Sequence, residues 1–238
     1  MSAARIRRVV TTRAGGESVP PYASFNLGAH VGDRPEAVAA NRKRLAAGVG
    51  LPADRLIWME QVHGRTVTTV DAGRSQPVPA TDALITTEPG LAVVALVADC
   101  VPVLLADPVA RVVAAVHAGR VGASAGVLLA ALEAMLGLGA RKERMQALLG
   151  PSACGQCYEV PVQMQAEVVA QLPGSAVATR RGTAGLDIRA GLGRQLADAG
   201  VTQIDVDPRC TIEDPALYSY RRDGTTGRLA ALTWFETT

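Results

Sequence analysis

Three short stretches of this chain place a metal-competent or nucleophilic side chain at the edge of a predicted strand: Gln61-Val62-His63-Gly64, Ala98-Asp99-Cys100-Val101-Pro102 and Val116-His117-Ala118-Gly119-Arg120. Strand ends beside small-residue turns are where open sheets build sites. The residue types are scarce: the only histidines are His30, His63 and His117, and the only cysteines Cys100, Cys154, Cys157 and Cys210. Taken singly, a strand-end imidazole is an ordinary hydrogen-bonded structural group, and a Cys after an apolar strand an ordinary small core residue. Taken together, and if the strands carrying them are neighbours, two imidazoles and one thiolate form a three-ligand zinc set. Its fourth position is then left for water, phosphate or substrate. The same trio without metal would be a Cys nucleophile with a His base, and spacing alone leaves both readings open.

Other candidates surround this trio. The turn Ala118-Gly119-Arg120-Val121-Gly122-Ala123-Ser124 leads into an apolar-periodic helix and could bring backbone N–H groups and Arg120 to an anion, or simply connect strand to helix tightly. Arg13, Asn26 and His30 lie on an early loop and are candidate substrate contacts, although Asn in loops most often satisfies backbone groups. Gln61 joins Arg13 and Asn26 as a candidate substrate-binding residue, and Asp82, Asp99 and Asp107 flank the central strands. Cys154-Gly155-Gln156-Cys157 lacks a second CxxC. It reads as two reduced thiols or an opportunistic redox pair rather than half a zinc knuckle, with Cys210 and a remote His30 left over. Tyr218-Ser219-Tyr220-Arg221-Arg222-Asp223-Gly224 reads as a strand and a turn whose arginines form a surface or structural ion pair.

The elements that must position these groups follow from hydrophobic patterning. Strands are predicted at 7–12, 56–59, 65–70, 83–86, 91–98, 103–106, 111–116, 145–149, 203–206 and 229–234, and helices at 33–50, 123–136, 162–171 and 188–199. Asp33, Pro35 and Glu36 supply a start signal for the first helix, with Asp33 as its cap. The runs 91–98 and 111–116 are nearly continuous in apolar residues, as expected of strands covered on both faces at the centre of a sheet. The fold class is α/β or α+β: a single domain, 1–238, with a mixed central β-sheet flanked by helices.

Composition limits the function classes. The chain has 238 residues, 48% apolar, 19% charged and 3% aromatic, which suits one compact core and excludes disorder as its main theme. A formal charge of +2, from 24 basic against 22 acidic residues, is too even to hold nucleic acid or anionic lipid by counterion release. The apolar run after Leu91 is interrupted at Asp99, well short of the roughly 20 residues of a membrane span. No early apolar stretch is long enough for a signal peptide, so the chain reads as cytoplasmic, with its thiols reduced. Oligomeric state is left open.

The quoted motifs also resemble a known family across nearly the whole chain. Ser24-Phe25-Asn26-Leu27-Gly28-Ala29-His30-Val31-Gly32-Asp33, Gln61-Val62-His63-Gly64, Thr81-Asp82-Ala83-Leu84-Ile85-Thr86, the stretch 98–108, His117-Ala118-Gly119, Gly150-Pro151 with Cys157-Tyr158-Glu159-Val160, and the stretch 218–228 resemble the YfiH-like proteins. These are also called multicopper polyphenol oxidase or laccase-domain proteins and peptidoglycan editing factors. The resemblance implies the YfiH-like fold and a zinc-associated purine nucleoside phosphorylase acting on adenosine, inosine or methylthioadenosine, with adenosine deaminase activity as well. It assigns the metal and catalytic roles to His63, Cys100 and His117, and nucleoside and phosphate as small-molecule partners. For the acid that protonates the departing purine, Asp99 and a displaced imidazole are the candidates.

Two stretches depart from the family. Where it usually continues Trp-Arg-Gly after His117-Ala118-Gly119, this chain has Arg120-Val121-Gly122, and where it commonly has an Ile-Gly-Pro-Cys type of sequence, this chain has Ala153-Cys154-Gly155-Gln156-Cys157. Counting also tests the laccase name: a trinuclear copper cluster and a blue-copper centre need many imidazoles, and three histidines fall short. One copper on the same trio is the alternative to zinc, because copper(II) outranks zinc for such ligands. A cysteine hydrolase or amidase editing a peptidoglycan precursor would keep the trio without metal. A non-enzymatic metal-binding protein is the third alternative.

Overall fold

The structure, a computed structural model, describes residues 5–237; residues 1–4, the start of the stretch read above for a signal peptide, and residue 238 lie outside the described residues. In chain order the elements are β1 (Ile6–Val10), α1 (Pro35–Val49), β2 (Leu56–Ile57), β3 (Val67–Thr69), β4 (Ala83–Thr86), β5 (Ala92–Val97), β6 (Val101–Asp107), β7 (Val112–Ala118), α2 (Arg120–Ser124), α3 (Val127–Gly137), β8 (Gln146–Leu149), α4 (Val162–Gln171), β9 (Ala176–Ala178), β10 (Ala184–Leu186), α5 (Ile188–Asp198), β11 (Gln203–Val206), α6 (Tyr220–Asp223) and β12 (Leu229–Phe235). No helix among the described residues is long and apolar enough to cross a membrane.

The strands form two mixed sheets where the sequence suggests one. A four-stranded sheet runs β1-β12-β5-β2, a six-stranded sheet runs β11-β8-β6-β7-β4-β3, and β9 and β10 make a small hairpin. The two larger sheets stack: Val93, Ala95 and Ala231 from one and Leu84, Leu104, Val113 and Ala115 from the other share a single core. Helix α1 covers the outer face of the smaller sheet through Leu45 and Ala46, against Val94, Leu96, Leu232 and Trp234. Helices α3, α4 and α5 cover the outer face of the larger sheet, where Val103, Leu105, Ala114 and Val116 meet Leu128, Ala131, Met135 and Leu192. Strands β5 and β7 are buried along their whole length, as their apolar runs require. They belong to different layers, however, and are not neighbours at the centre of one sheet.

Three local expectations are corrected. The predicted helix 123–136 is two helices, α2 and α3, because Gly126 at φ +85° breaks the first before the second begins. Asp33 does not cap α1: its Oδ2 accepts a hydrogen bond from the Asn26 amide at 2.9 Å, and Arg34 holds the cap position ahead of Pro35. The segment after Tyr218 turns into α6, whose N-cap Ser219 accepts the Arg222 N–H at 3.1 Å, where a strand and turn were expected.

Candidate active site

The larger sheet brings two of the three chemically distinctive residues together by register. Strands β6 and β7 are antiparallel, with Pro102 opposite His117 and Val101 opposite Ala118, so Cys100, just ahead of β6, lies beside the end of β7 that carries His117. The pairing of β7 with β4 puts Ala83 opposite Val116 and Asp82 next to His117, whose backbone N–H donates to the Asp82 carbonyl at 2.8 Å. His63 arrives from the loop between β2 and β3, in a left-handed conformation at φ +59°.

Asp82 organises this junction. Its fully buried carboxylate accepts from Nδ1 of His117 at 2.8 Å and from the backbone N–H groups of Val62, His63 and Gly64 at 3.3, 3.0 and 2.7 Å. One carboxylate thus holds the His117 ring by Nδ1, leaving Nε2 turned to the cluster, and anchors the loop that carries His63. Burial favours the protonated acid, but the bonds from His117, Gly64 and Val62 prevail and keep the Asp82 pKa below the usual carboxylate value.

The donor atoms of His63, Cys100 and His117 all lie within 4.8 Å of one another. Cys100 Sγ is 3.8 Å from His63 Nε2, and the two imidazoles meet edge to face with centroids 4.8 Å apart. Burial would raise the Cys100 pKa, but hydrogen bonding to His117 and His63 and their charge bring it down to about 6. Burial likewise opposes the imidazolium of His117, yet Asp82 and Cys100 together lift its pKa to about 9. Close approach depends on glycine: a Cβ on Gly119 would stand 2.8 Å from His63 Cδ2 and 2.9 Å from Cys100 Sγ, and one on Gly122 would stand 2.8 Å from the Gly64 carbonyl oxygen.

This donor set fits a zinc ion. Two imidazoles and a thiolate in one cluster, one imidazole oriented through its other nitrogen by a buried carboxylate, are a catalytic zinc ligation pattern with one position to spare. The same atoms also suit a single copper ion.

The cluster lines a cavity of about 470 Å³. His30, Arg120, Arg221 and Arg228 bring basic groups to its lining, and Tyr158, Ile188, Tyr220, Ala98 and Ala153 an apolar and aromatic wall. The Arg221 guanidinium lies over the Tyr158 ring at 4.9 Å, and Arg228 is fixed by donating to the carbonyls of Thr226 and Gly227 at 2.9 and 3.0 Å. Burial foremost, then the charges of Arg228, Arg42, His117 and His63, lower the pKa of His30 and keep its imidazole neutral at pH 7.

The remaining sequence candidates divide sharply. Of the early-loop residues only His30 lines the cavity. Arg13 instead binds the Ala23 carbonyl at 3.0 Å and stacks over Tyr218, and the fully buried Asn26 ties together Gly28, Asp33 and Arg228. Neither reaches the cavity, because each is held by backbone and side-chain partners that fasten the loop. Gln61 does line it, but both ends of its amide are paired with the backbone of Leu96 at 2.7 Å. Asp99, φ +90°, accepts from Thr211 Oγ1 at 2.6 Å and from the Arg221 N–H at 2.7 Å, so both its oxygens are engaged in shaping the wall. Asp107 bonds Arg144 and the 109–110 turn away from the site.

Sequence patterning missed Arg221, Tyr158 and Arg228 as cavity residues. Of the arginine pair, Arg222 is structural, donating to the carbonyls of Thr211 and Leu217 at 2.7 and 2.8 Å, whereas Arg221 faces the cavity. The only signal for Tyr158 and Arg228 was their place in the family-like stretches.

The chain is similar to known proteins along nearly its whole length. Residues 7–236 match the family described as multi-copper polyphenol oxidoreductase laccase. A purine nucleoside phosphorylase of Mycobacterium tuberculosis is 59% identical over 232 residues, covering 98% of this chain and 93% of that protein. Among solved structures, YlmD from Geobacillus stearothermophilus superposes with a TM-score of 0.91 at 33% identity, covering 98% of this chain and 92% of that one. Bacillus licheniformis hypothetical protein YfiH does so with a TM-score of 0.91 at 29% identity, covering 97% and 93%.

Proposed function

The chain belongs to the multi-copper polyphenol oxidoreductase laccase family, and on that premise we propose that it is a purine nucleoside phosphorylase acting on adenosine, inosine or methylthioadenosine, with zinc at His63, Cys100 and His117 and adenosine deamination as a second reaction. The observation that carries this reading is the junction of His63, Cys100 and His117, organised by Asp82, in the lining of a cavity with both basic groups and an aromatic wall.

When bound, zinc would neutralise charge on a phosphate or water oxygen and make that water more acidic. The chain's own residues supply the rest. Arg228 and Arg221 offer cationic charge to phosphate, and the Tyr158 ring, backed by the Arg221 guanidinium, offers a flat face to the purine. In phosphorolysis a phosphate oxygen bonds to the ribose anomeric carbon as the bond from that carbon to the purine nitrogen breaks, and the purine takes up a proton. His30, neutral and in the cavity, is the group we assign to hydrogen-bond the departing base, and the proton that the base takes up comes from the attacking dihydrogen phosphate, which leaves as the ribose phosphate ester. Asp82 keeps His117 and the His63 loop aligned throughout.

Incubating the protein with adenosine and inorganic phosphate, and separating the products, tests the reading. Adenine with ribose 1-phosphate supports it. Free ribose would mean hydrolysis, inosine without phosphate consumption would mean deamination alone, and either result alone overturns phosphorolysis.

A second reading, a metal-free cysteine hydrolase or amidase, is favoured by one observation: a thiol held at about pKa 6 beside two imidazoles is a ready nucleophile. Chelator-treated protein that still cleaves an amide substrate, and loses that activity on thiol alkylation, would establish it in place of the first.

A further inference from the structure

The remaining three cysteines are dispersed in sequence but not in space. We propose that Cys154, Cys157, Cys210 and Glu213 form a second, structural zinc site that braces one wall of the cavity. It is independent of the nucleoside chemistry.

The sequence pattern shows one CxxC and no second; the structure supplies the missing half as Cys210-Thr211-Ile212-Glu213, a turn with the same i, i+3 spacing that ends in a carboxylate. Carboxylate oxygen is an accepted zinc ligand, so two facing turns of this kind are a closed four-ligand set. The four donor atoms lie within 4.8 Å of one another. Thiolates about 2.3 Å from a tetrahedral zinc stand roughly 3.8 Å apart, so only small side-chain adjustments separate this cluster from ligation.

The turns are built to face one another. The Cys157 and Tyr158 N–H groups both return to the Cys154 carbonyl, at 3.0 and 2.9 Å, and the Glu213 and Asp214 N–H groups return to the Cys210 carbonyl, at 3.2 and 2.9 Å. The Cys154 N–H points at Cys210 Sγ at 3.4 Å, a bond that also stabilises a zinc-bound thiolate. A Cβ on Gly155 would stand 2.6 Å from Val177 Cγ1, so the first turn admits only glycine there. Glu213 is divided usefully: Oε1 is paired with Arg180, while Oε2 faces Cys154 Sγ at 4.0 Å. Arg180 thereby offsets part of the negative charge that three thiolates and a carboxylate bring to a dication.

The site would join two segments that both support the cavity. Ala153, beside the first turn, donates its N–H to the Asp99 carbonyl at 3.0 Å, and Thr211, inside the second turn, holds the Asp99 carboxylate at 2.6 Å. Tyr158 follows the first turn directly and lines the cavity.

Cobalt(II) loading of the Cys100→Ala chain tests the proposal without any assay of turnover. With Cys100 gone, an intense sulfur-to-cobalt absorption and tetrahedral ligand-field bands can arise only from the other three thiols, and we expect both, with zinc displacing the cobalt and raising the melting temperature. Adding Glu213→Gln, a mild change at an exposed position, should weaken zinc binding by roughly tenfold or more. A Cys100→Ala chain that gives no thiolate-to-cobalt band overturns the proposal, as does an intact mass showing a disulfide among these cysteines in protein purified without oxidant.

Discussion

The Asp82 carboxylate and the His117 imidazole, both buried, meet at 2.8 Å through Oδ1 and Nδ1, and the same carboxylate collects three backbone N–H groups from the loop bearing His63. A single acidic side chain therefore aligns two candidate metal ligands that are 54 positions apart in sequence, 63 and 117. It can do so only because a carboxylate is an acceptor at every lone pair.

Replacing Asp82 by Asn keeps the shape and removes that property. An amide nitrogen would face N–H donors, and the His117 proton would no longer be fixed on Nδ1. We expect roughly 10–100-fold weaker zinc binding in a competition titration, with the circular dichroism spectrum unchanged. Unaltered zinc affinity would show that His117 needs no orienting partner.

Gly119→Ala inserts a methyl group 2.8 Å from His63 and 2.9 Å from Cys100 Sγ. Because displacement by about 1 Å can cost a reacting centre two orders of magnitude, turnover should fall roughly 100-fold while the fold persists. An active Gly119→Ala enzyme would mean that the two ligands are looser than the packing implies.

In metal-stripped protein the rate of Cys100 alkylation should follow the thiolate. With the thiol held at about pKa 6, the rate is low below that pH, rises through it and levels off near neutrality. An ordinary thiol would still be accelerating above pH 8. Peptide mapping of iodoacetamide adducts across pH measures the midpoint, and a value near the ordinary one would show that the imidazoles do not stabilise the thiolate.

Asp107 offers a stability test remote from the site. Burial would raise its pKa, but bonds from the Ala110 and Arg141 N–H groups, the Arg144 guanidinium and the Val109 N–H lower it. A carboxylate with a depressed folded-state pKa stabilises fully above its unfolded value of about 4 and loses that contribution as pH falls through the folded value. Asp107→Asn should therefore cost on the order of 2 kcal/mol in urea unfolding at pH 7, and the difference from the parent should shrink in acid below about pH 4. A difference independent of pH would assign the loss to packing.

Much of this organisation is legible in the sequence itself. His63, Cys100 and His117 stood out because imidazoles and thiols are rare in this chain and each sat beside a glycine-bearing turn or a strand edge. Strands β5 and β7 were legible from their unbroken apolar runs, but a strand buried on both faces carries no alternation to say which layer covers it, so two stacked sheets read as one. Arg221 was hidden by its neighbour: an arginine pair ordinarily reads as surface charge, and only the α6 turn sends one inward and the other to backbone carbonyls. Arg13 and Asn26 misled because a polar loop residue that fastens the backbone looks the same in sequence as one awaiting a substrate. Glu213 is not legible in the sequence because a single exposed carboxylate has no pattern until the Cys210 turn brings it opposite the CxxC.

The central claim, that the His63, Cys100 and His117 junction performs the phosphorolysis, is tested most directly by the phosphate-dependent release of adenine from adenosine in Cys100→Ala beside the parent chain. With the variant's fold verified by circular dichroism, its turnover should fall by roughly three orders of magnitude or more, corresponding to the several kcal/mol that a metal centre contributes to such a reaction. Phosphorolysis at the parent rate in the folded variant would contradict the account.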